Sequence, residues 1–355
     1  MPRRALILGE SAMALDLEQA YKRMGFDTRV GAASIAEVFY PGIMVTSGDA
    51  EDTIETVQEI SERVGAVVAP SVEACRHTAD RMAVRKQANE ELGLPTLDYE
   101  FAVTPQEMHD AVERIGYPCV VKAPTSKDGE GFSVVHNDGD LADAWRAADR
   151  GLGQGAVVER FIDFDYEVTI LAARSIDPET GGLATWFCEP IGTRHREGRL
   201  VESWQPAPLP EAAMDNARSI AARITGALAS CGIFSVEMFV SGDDVYFSQV
   251  TPRPSRDGLV TFVTQRINQF DLQAHATQRL PIDSTLISPG AVRFLEGHPS
   301  QAALAAAMAV EEVTVRMLGD GTLVLATADS AAEARQRTEE AVREIYKIDG
   351  KPSEN

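Results

Sequence analysis

Two apolar runs of strand length, 234–240 and 245–250, flank the polar segment Ser241-Gly242-Asp243-Asp244. A glycine–aspartate turn between such runs predicts an antiparallel hairpin. A hairpin fixes which side chains share a face, because side chains alternate along a strand. A turn centred on Asp243 sets Glu237 and Gln249 opposite each other on one face. A carboxylate and an amide oxygen so placed can offer hard oxygen ligands to magnesium. Equally, the glutamate can pair with Arg253, which sits between Pro252 and Pro254. There the guanidinium is presented rigidly enough to meet a phosphate or a carboxylate.

The residues before this hairpin organise the rest of the chain. Ala5-Leu6-Ile7-Leu8 reads as a buried strand and Gly9-Glu10-Ser11 as a turn, after which Leu17, Ala20, Tyr21 and Met24 recur at helical spacing up to Gly25. A second helix fits 52–64, with Val57, Ile60 and Val64 on one face, and 66–69 is a strand ended by Pro70. Alternating strands and helices predict a small parallel α/β unit over about the first 75 residues. A single helix is expected over 79–92, followed by the breaker Gly93-Leu94-Pro95 and a proline-led helix start at Thr104-Pro105-Gln106-Glu107. Residues 117–122 form a strand that ends on Lys122; 157–159 and 166–171 are further strands. In the tail, 313–318 and 322–326 flank Gly319-Asp320-Gly321, and Ser330-Ala331-Ala332-Glu333 is a capping box for a last helix. The expected division is 1–75, then 76–285 with a lid over about 115–160, then 286–355.

Composition removes several function classes. A chain of 355 residues, 44% apolar, can bury the cores of two or three domains. A net charge of −21 argues against a broad nucleic-acid surface, although a local pocket for a small anion stays open. No early apolar run reaches signal-peptide or membrane-span length, so no membrane partner is expected. Cys75, Cys119, Cys188 and Cys231 are scattered without a CxxC pair, which predicts free thiols and a cytoplasmic location. There is no GxxxxGK[ST], HExxH or GxSxG segment, and a Cys188–His nucleophile is left as a minor alternative. His195, within Arg194-His195-Arg196-Glu197, reads as part of a solvated loop.

Lys122 can hold its ammonium over a phosphate, with Gly129 and Gly131 freeing backbone N–H groups behind it. Glu130 in the same loop opposes that role, and a strand-end lysine can equally be solvated. Glu159 and Glu167 lie on strands, where a carboxylate can accept from an amino group or a ribose hydroxyl, or simply face solvent at a sheet edge.

Taken in order, Tyr117-Pro118-Cys119-Val120-Val121-Lys122, Phe164-Asp165-Tyr166-Glu167, Glu202-Ser203-Trp204-Gln205-Pro206, Val236-Glu237-Met238-Phe239-Val240 and Phe247-Ser248-Gln249-Val250-Thr251-Pro252-Arg253-Pro254 resemble the ATP-grasp superfamily. Within it they resemble the formate-dependent phosphoribosylglycinamide formyltransferases. The resemblance implies an α/β (α+β) ATP-grasp fold, ATP and Mg2+ as cofactors, a homodimer, and small-molecule carboxylate and amine substrates. It also implies roles for single residues. Arg81 and Lys122 would contact ATP phosphates, under a loop containing Ser126, Gly129 and Gly131. Glu159, Phe161 and Ile162 would hold adenine and Glu167 the ribose. Glu237 and Gln249 would hold magnesium, and Arg253 would face the transferring phosphoryl group.

Several departures from that family bear on the acceptor. Gln249 stands where the family has a second metal-binding glutamate, and Gly9-Glu10-Ser11-Ala12-Met13 replaces its Gly-Ser-Gly-Glu-Leu turn. Ser255-Arg256-Asp257-Gly258 replaces His-Asp-Thr-Gly, and Gly319-Asp320-Gly321 leaves no Arg-Arg pair for a ribonucleotide phosphate. The amino-terminal unit is also shorter than the family's by what reads as one strand–helix segment. The expected function is therefore an ATP-dependent carboxylate–amine ligase working through an acyl phosphate, with an acceptor other than glycinamide ribonucleotide. Arg256 and Asp257 are its candidate substrate-binding residues. The family's own formyl transfer, or a non-catalytic nucleotide-binding role, are the alternatives.

Overall fold

The structure, a computed structural model, describes residues 3–125, 131–196, 198–319 and 321–350. Strands β1 (Arg4–Leu8), β2 (Asp27–Gly31), β3 (Ile43–Thr46) and β4 (Val67–Ala69) form a parallel sheet in the order β2-β1-β3-β4. The residues of β1 after Arg4 are buried, as the unbroken apolar run 5–8 requires of a strand covered on both faces. The helix Ala12–Arg23 starts where Ser11 accepts from the Ala14 N–H at 3.3 Å. The helix Ile54–Val64 is capped by Thr53 and stops at Gly65, whose φ of +73° suits glycine.

The helix expected over 79–92 is present from Arg81 to Glu91, with a π-turn in its second half, and a separate helix not expected from the sequence precedes it. The helix Val72–Ala79 stops at Asp80, whose backbone is extended at φ −101° and ψ 104°. Asp80 then caps the helix Arg81–Lys86 through its carboxylate, 2.8 Å from the Met82 N–H, and a π-turn follows over Gln87–Glu91. This break re-aims Arg81 and Arg85 at the strands described next.

A second, antiparallel sheet is built from β5 (Tyr99–Ala102), β6 (Cys119–Lys122), β7 (Phe132–Val135) and β8 (Ala156–Arg160), in the order β5-β8-β6-β7. Its apolar face packs on the helices Pro105–Ile115 and Leu141–Asp149 through Met108, Val112, Cys119, Val121, Leu141 and Val158, a core separate from the others. Thr104 and Pro105 start the first of these helices as the sequence predicts.

The third sheet runs β14-β13-β9-β11-β12-β15-β17-β16, with β10 added to β9. Its strands are β9 (Tyr166–Ile176), β10 (Leu183–Phe187), β11 (Ile191–Arg196), β12 (Arg199–Gln205), β13 (Gly232–Ser241), β14 (Asp244–Thr251), β15 (Gly290–Glu296), β16 (Val313–Leu318) and β17 (Gly321–Thr327). β15 pairs with β12, so the strands after residue 286 continue this sheet. One core joins the N-terminal sheet to it: Ile7, Leu17 and Tyr21 are buried together with Leu171, Ile233, Phe270 and Leu325. Fully burying each such side chain is worth about 1.5–3 kcal/mol, so this junction holds the two units in fixed register.

Candidate functional site

The hairpin forms and Glu237 is directly paired with Gln249, but not through a loop centred on Asp243. Ser241 pairs with Asp244 across a two-residue turn, and a bulge between Glu237 and Met238 shifts the register by one residue. On the other side of β13, Glu237 is paired with Thr169 of β9, and Phe239 with Glu167. Glu167, Thr169, Glu237 and Gln249 therefore share one face of the large sheet, by strand alternation.

The small antiparallel sheet carries the opposing groups. Lys122 closes β6, and its ammonium lies 2.6 Å from Glu159 Oε2 on the neighbouring strand β8. The guanidinium of Arg85 donates to the other carboxylate oxygen of Glu159, and also to the Phe247 carbonyl at 2.9 Å. Glu159 is 3% and Arg85 6% exposed. Burial alone would raise the Glu159 carboxyl; Arg85 and Lys122 outweigh it and hold the group at about 2. Both carboxylate oxygens are thus engaged with cations. Arg85 escaped the sequence reading. Its signal was its position four residues after Arg81, on the same helix face.

Arg81 bridges the two sheets: Nη1 donates to the Ala123 carbonyl at 3.0 Å and Nε to Gln249 Oε1 at 3.2 Å. Beyond β8, Phe161 is exposed and Ile162 half-buried, while Phe164 stacks on Phe239 at 4.8 Å. The Lys122 ammonium lies 5.9 Å from the same Phe239 ring, which brings the segment after Glu159 to the side of Lys122. Ser126 and Gly129 lie outside the described residues. Gly131 has φ +72°, and a Cβ there would fall 2.7 Å from Ala123 Cβ and 3.0 Å from the Ala147 carbonyl. Only glycine closes the loop onto β6 this tightly.

His195 is not in a loop. It lies on β11, past a bulge at Arg194/His195, and its Nδ1 is 2.7 Å from Glu167 Oε2. Burial pulls the imidazole down, but the Glu167 carboxylate more than offsets it and raises the pKa. The bulge that turns His195 to this face left no mark in the sequence.

The Glu237 carboxylate accepts no hydrogen bond from a described residue. Burial, then the carboxylates of Asp257 and Glu167, push it up to about 7. Asp257 is buried and takes a 2.7 Å hydrogen bond from Thr169 Oγ1. Three carboxylates thus meet Arg81 and His195 on one face, and an unpartnered glutamate among them fits a hard divalent cation. Arg256, expected beside Asp257 at a substrate, is exposed, with its guanidinium 5.4 Å from the Phe294 ring. The only compact His/Asp/Glu triplet among the described residues, His109, Asp110 and Glu113, lies on the helix Pro105–Ile115, with His109 and Asp110 half-buried and Glu113 exposed.

Arg253 faces the N-terminal sheet. Gly48, at φ +92°, passes so close that a Cβ would lie 2.0 Å from Arg253 Nε. Beside it, Asp49 Oδ2 accepts from the Glu10 and Ser11 N–H groups at 2.9 and 2.7 Å, so a protein carboxylate caps the Gly9-Glu10-Ser11 turn. The β16–β17 turn reaches the same helix start, since a Cβ on Gly319 would come 3.9 Å from Ala12. Arg316 on β16 pairs with Asp16 and lies 4.0 Å over Phe262.

The segment Glu202-Ser203-Trp204-Gln205 alternates between faces. Ser203 Oγ donates to the Asp257 carbonyl at 3.0 Å, on the site's face. On the other face, Glu202 is fully buried among Arg194, Arg293 and Arg335, and Arg335 lies 3.9 Å over Trp204. Half of this motif therefore anchors the helix Ala331–Asp349 rather than the site. Cys188 is buried against Gln265 and its thiol is pushed up to about 12 by burial, which removes it as a nucleophile.

The ATP-grasp domain family matches residues 87–270. The formate-dependent phosphoribosylglycinamide formyltransferase of Corynebacterium efficiens is 42% identical over 94% of this chain and 93% of its own. The Burkholderia pseudomallei protein of the same name is 43% identical over 79% of this chain and 74% of its own. Among solved structures, one from Mycobacterium tuberculosis described as glycinamide-RNase-transformylase T superposes with a TM-score of 0.82 at 30% identity, covering 97% of this chain and 100% of that one. Carboxyaminoimidazole ribonucleotide synthase from Aspergillus clavatus shares the fold, with a TM-score of 0.84 at 17% identity over 98% and 99% of the two chains. The expectation of an acceptor other than glycinamide ribonucleotide gains no support from these relatives. The chain belongs to the ATP-grasp family, and its near full-length relatives are formate-dependent phosphoribosylglycinamide formyltransferases.

Proposed function

We propose that this chain uses ATP to activate formate and passes the formyl group to the amine of phosphoribosylglycinamide, the reaction for which its relatives are named. A formate oxygen attacks the γ-phosphorus and ADP leaves; the amine then attacks the acyl carbon, losing a proton, and phosphate leaves. The observation that carries the reading is that Arg81 ties the two antiparallel sheets together, donating to the Ala123 carbonyl next to Lys122 and to Gln249, the partner of Glu237. Lys122 would exchange Glu159 for phosphate oxygens, while Arg81, kept in place by Gln249, would turn its remaining N–H groups to them. The backbone at Phe161 and Ile162 would meet adenine, and Glu167 the ribose. Magnesium, held by carboxylate oxygens, neutralises charge on the transferring phosphoryl group when bound. Arg253 would face that group from beneath the Gly48 loop.

The decisive assay supplies formate, MgATP and phosphoribosylglycinamide, and follows ADP and the formylated product by mass spectrometry. ADP release that depends on both formate and the ribonucleotide is expected; no product with folded protein sinks the reading. A second reading, transfer to a different amine, rests on the N-terminal turn, where Asp49 already occupies the Glu10 and Ser11 N–H groups. ADP release with formate but no ribonucleotide product, restored by another amine, would select it. A homodimer in the cytoplasm goes with the first reading; light scattering at a single-chain mass would remove the dimer. No helix among the described residues is long and apolar enough to cross a membrane.

A further inference from the structure

We infer that Asp257 provides the second metal-binding carboxylate of this site, replacing the function lost where Gln249 stands; the inference rests on the ATP–magnesium reading above. Three geometric observations support it. Gln249 Oε1, the only atom of that side chain suited to a hard cation, already accepts the Arg81 Nε–H at 3.2 Å. Glu237, across from Gln249, has no hydrogen-bond donor among the described residues and carries the sole carboxylate on this hairpin face. Thr169, the partner of Glu237 on the other side of β13, holds Asp257 Oδ2 at 2.7 Å.

Directly paired residues on neighbouring strands have Cβ atoms about 4.5–5.5 Å apart. A carboxylate hydrogen-bonded to Thr169 therefore stands next to Glu237, on the side away from Gln249. One oxygen of Asp257 is oriented by the threonine hydroxyl, and its backbone carbonyl is fixed by Ser203 Oγ at 3.0 Å. The other carboxylate oxygen is left to face the site, as an oriented ligand with supporting hydrogen bonds should be. Magnesium takes one or two carboxylates together with phosphate oxygens and water. Glu237 and Asp257 supply that pair, with Gln249 left to position Arg81.

The test is manganese binding to the full chain with ATP, read from the free-ion signal in electron paramagnetic resonance. Wild-type protein is expected to bind the ion, and Asp257→Asn to weaken it by at least about tenfold, the scale seen when even supporting groups of a metal site are lost. Adding Gln249→Glu to Asp257→Asn is expected to recover most of that loss, since it returns the carboxylate to the hairpin. Circular dichroism melting shows that each variant is folded, and Asp257→Ser, which also removes the carboxylate, stands in if the asparagine variant is not. Manganese binding unchanged by Asp257→Asn, with or without a raised KM for the acceptor amine, overturns the assignment. No manganese–ATP binding by the wild-type chain overturns the assignment and the nucleotide reading together.

Discussion

Lys122 and Glu159 are joined at 2.6 Å across adjacent strands, and Arg85 holds the other oxygen of the same carboxylate. The cation expected at a phosphate and the anion expected at adenine are thus each other's partners. On the proposed function, ATP would have to offer Lys122 better contacts than Glu159 does, and Arg85 would keep Glu159 from being stranded. A buried carboxylate left without either cation would be costly.

Glu159 should make stability depend on acid. Its folded pKa is depressed to about 2, so the stability it contributes is present above its ordinary value and is lost as pH falls toward 2. The full effect is about 3 kcal/mol. Urea unfolding at pH 6 and pH 3.5 (two values chosen to span about half the window) should show a smaller acid loss in Glu159→Gln than in wild type. Equal losses in both would remove the group from the account.

Arg85→Ala should lose about 3–5 kcal/mol, because it leaves a buried carboxylate half-paired and the Phe247 carbonyl without its donor. Denaturant melts at neutral pH measure it. A loss below about 1 kcal/mol, the scale of an exposed ion pair, would show that Glu159 is solvated.

His195 should titrate above an ordinary imidazole. Its pair with Glu167 contributes stability fully below the unfolded pKa, and that contribution fades as pH rises through the raised folded value. Proton NMR of the His195 ring should give a midpoint above about 6.5, returning toward it in Glu167→Gln. A midpoint at or below that value in wild type contradicts the pair.

Gly48→Ala should cost about 1–3 kcal/mol, since it combines a left-handed φ of +92° with overlap on Arg253. The side chain that must yield is Arg253, so kcat should fall more than the affinity for ATP. Wild-type kcat in a destabilised Gly48→Ala protein would mean that Arg253 does not act at the reacting phosphoryl group.

Glu202→Gln should destabilise without touching the site, because Glu202 is fully buried among three arginines on the far face of the sheet. A melting temperature lowered by several degrees, with unchanged nucleotide affinity, is the expected pairing. A selective loss of ATP binding at unchanged stability would place Glu202 in the site instead.

Local chemistry was legible in the sequence wherever it was decided by neighbours in the chain. The Gly242-Asp243 turn announced the hairpin, although a bulge that the turn does not encode sets Glu237 on Gln249, and Thr104, Pro105 and Ser330 marked their helix starts because caps act within a few residues. The fold family was also legible, since its motifs are long and ordered. Asp80 was the local signal missed: its capping side chain starts the helix at Arg81, separates it from the helix Val72–Ala79, and so sets Arg85 toward Glu159. What only the tertiary structure decided are the pairings between distant strands. Asp257 on Thr169, His195 on Glu167 and Glu202 among its arginines depend on strand order, on a bulge and on which face a buried carboxylate meets its partner. A charge's partner is set by distance in space, and apart from Arg194, next to Glu202 in the β11–β12 hairpin, those partners stand 28 to 133 residues apart in sequence.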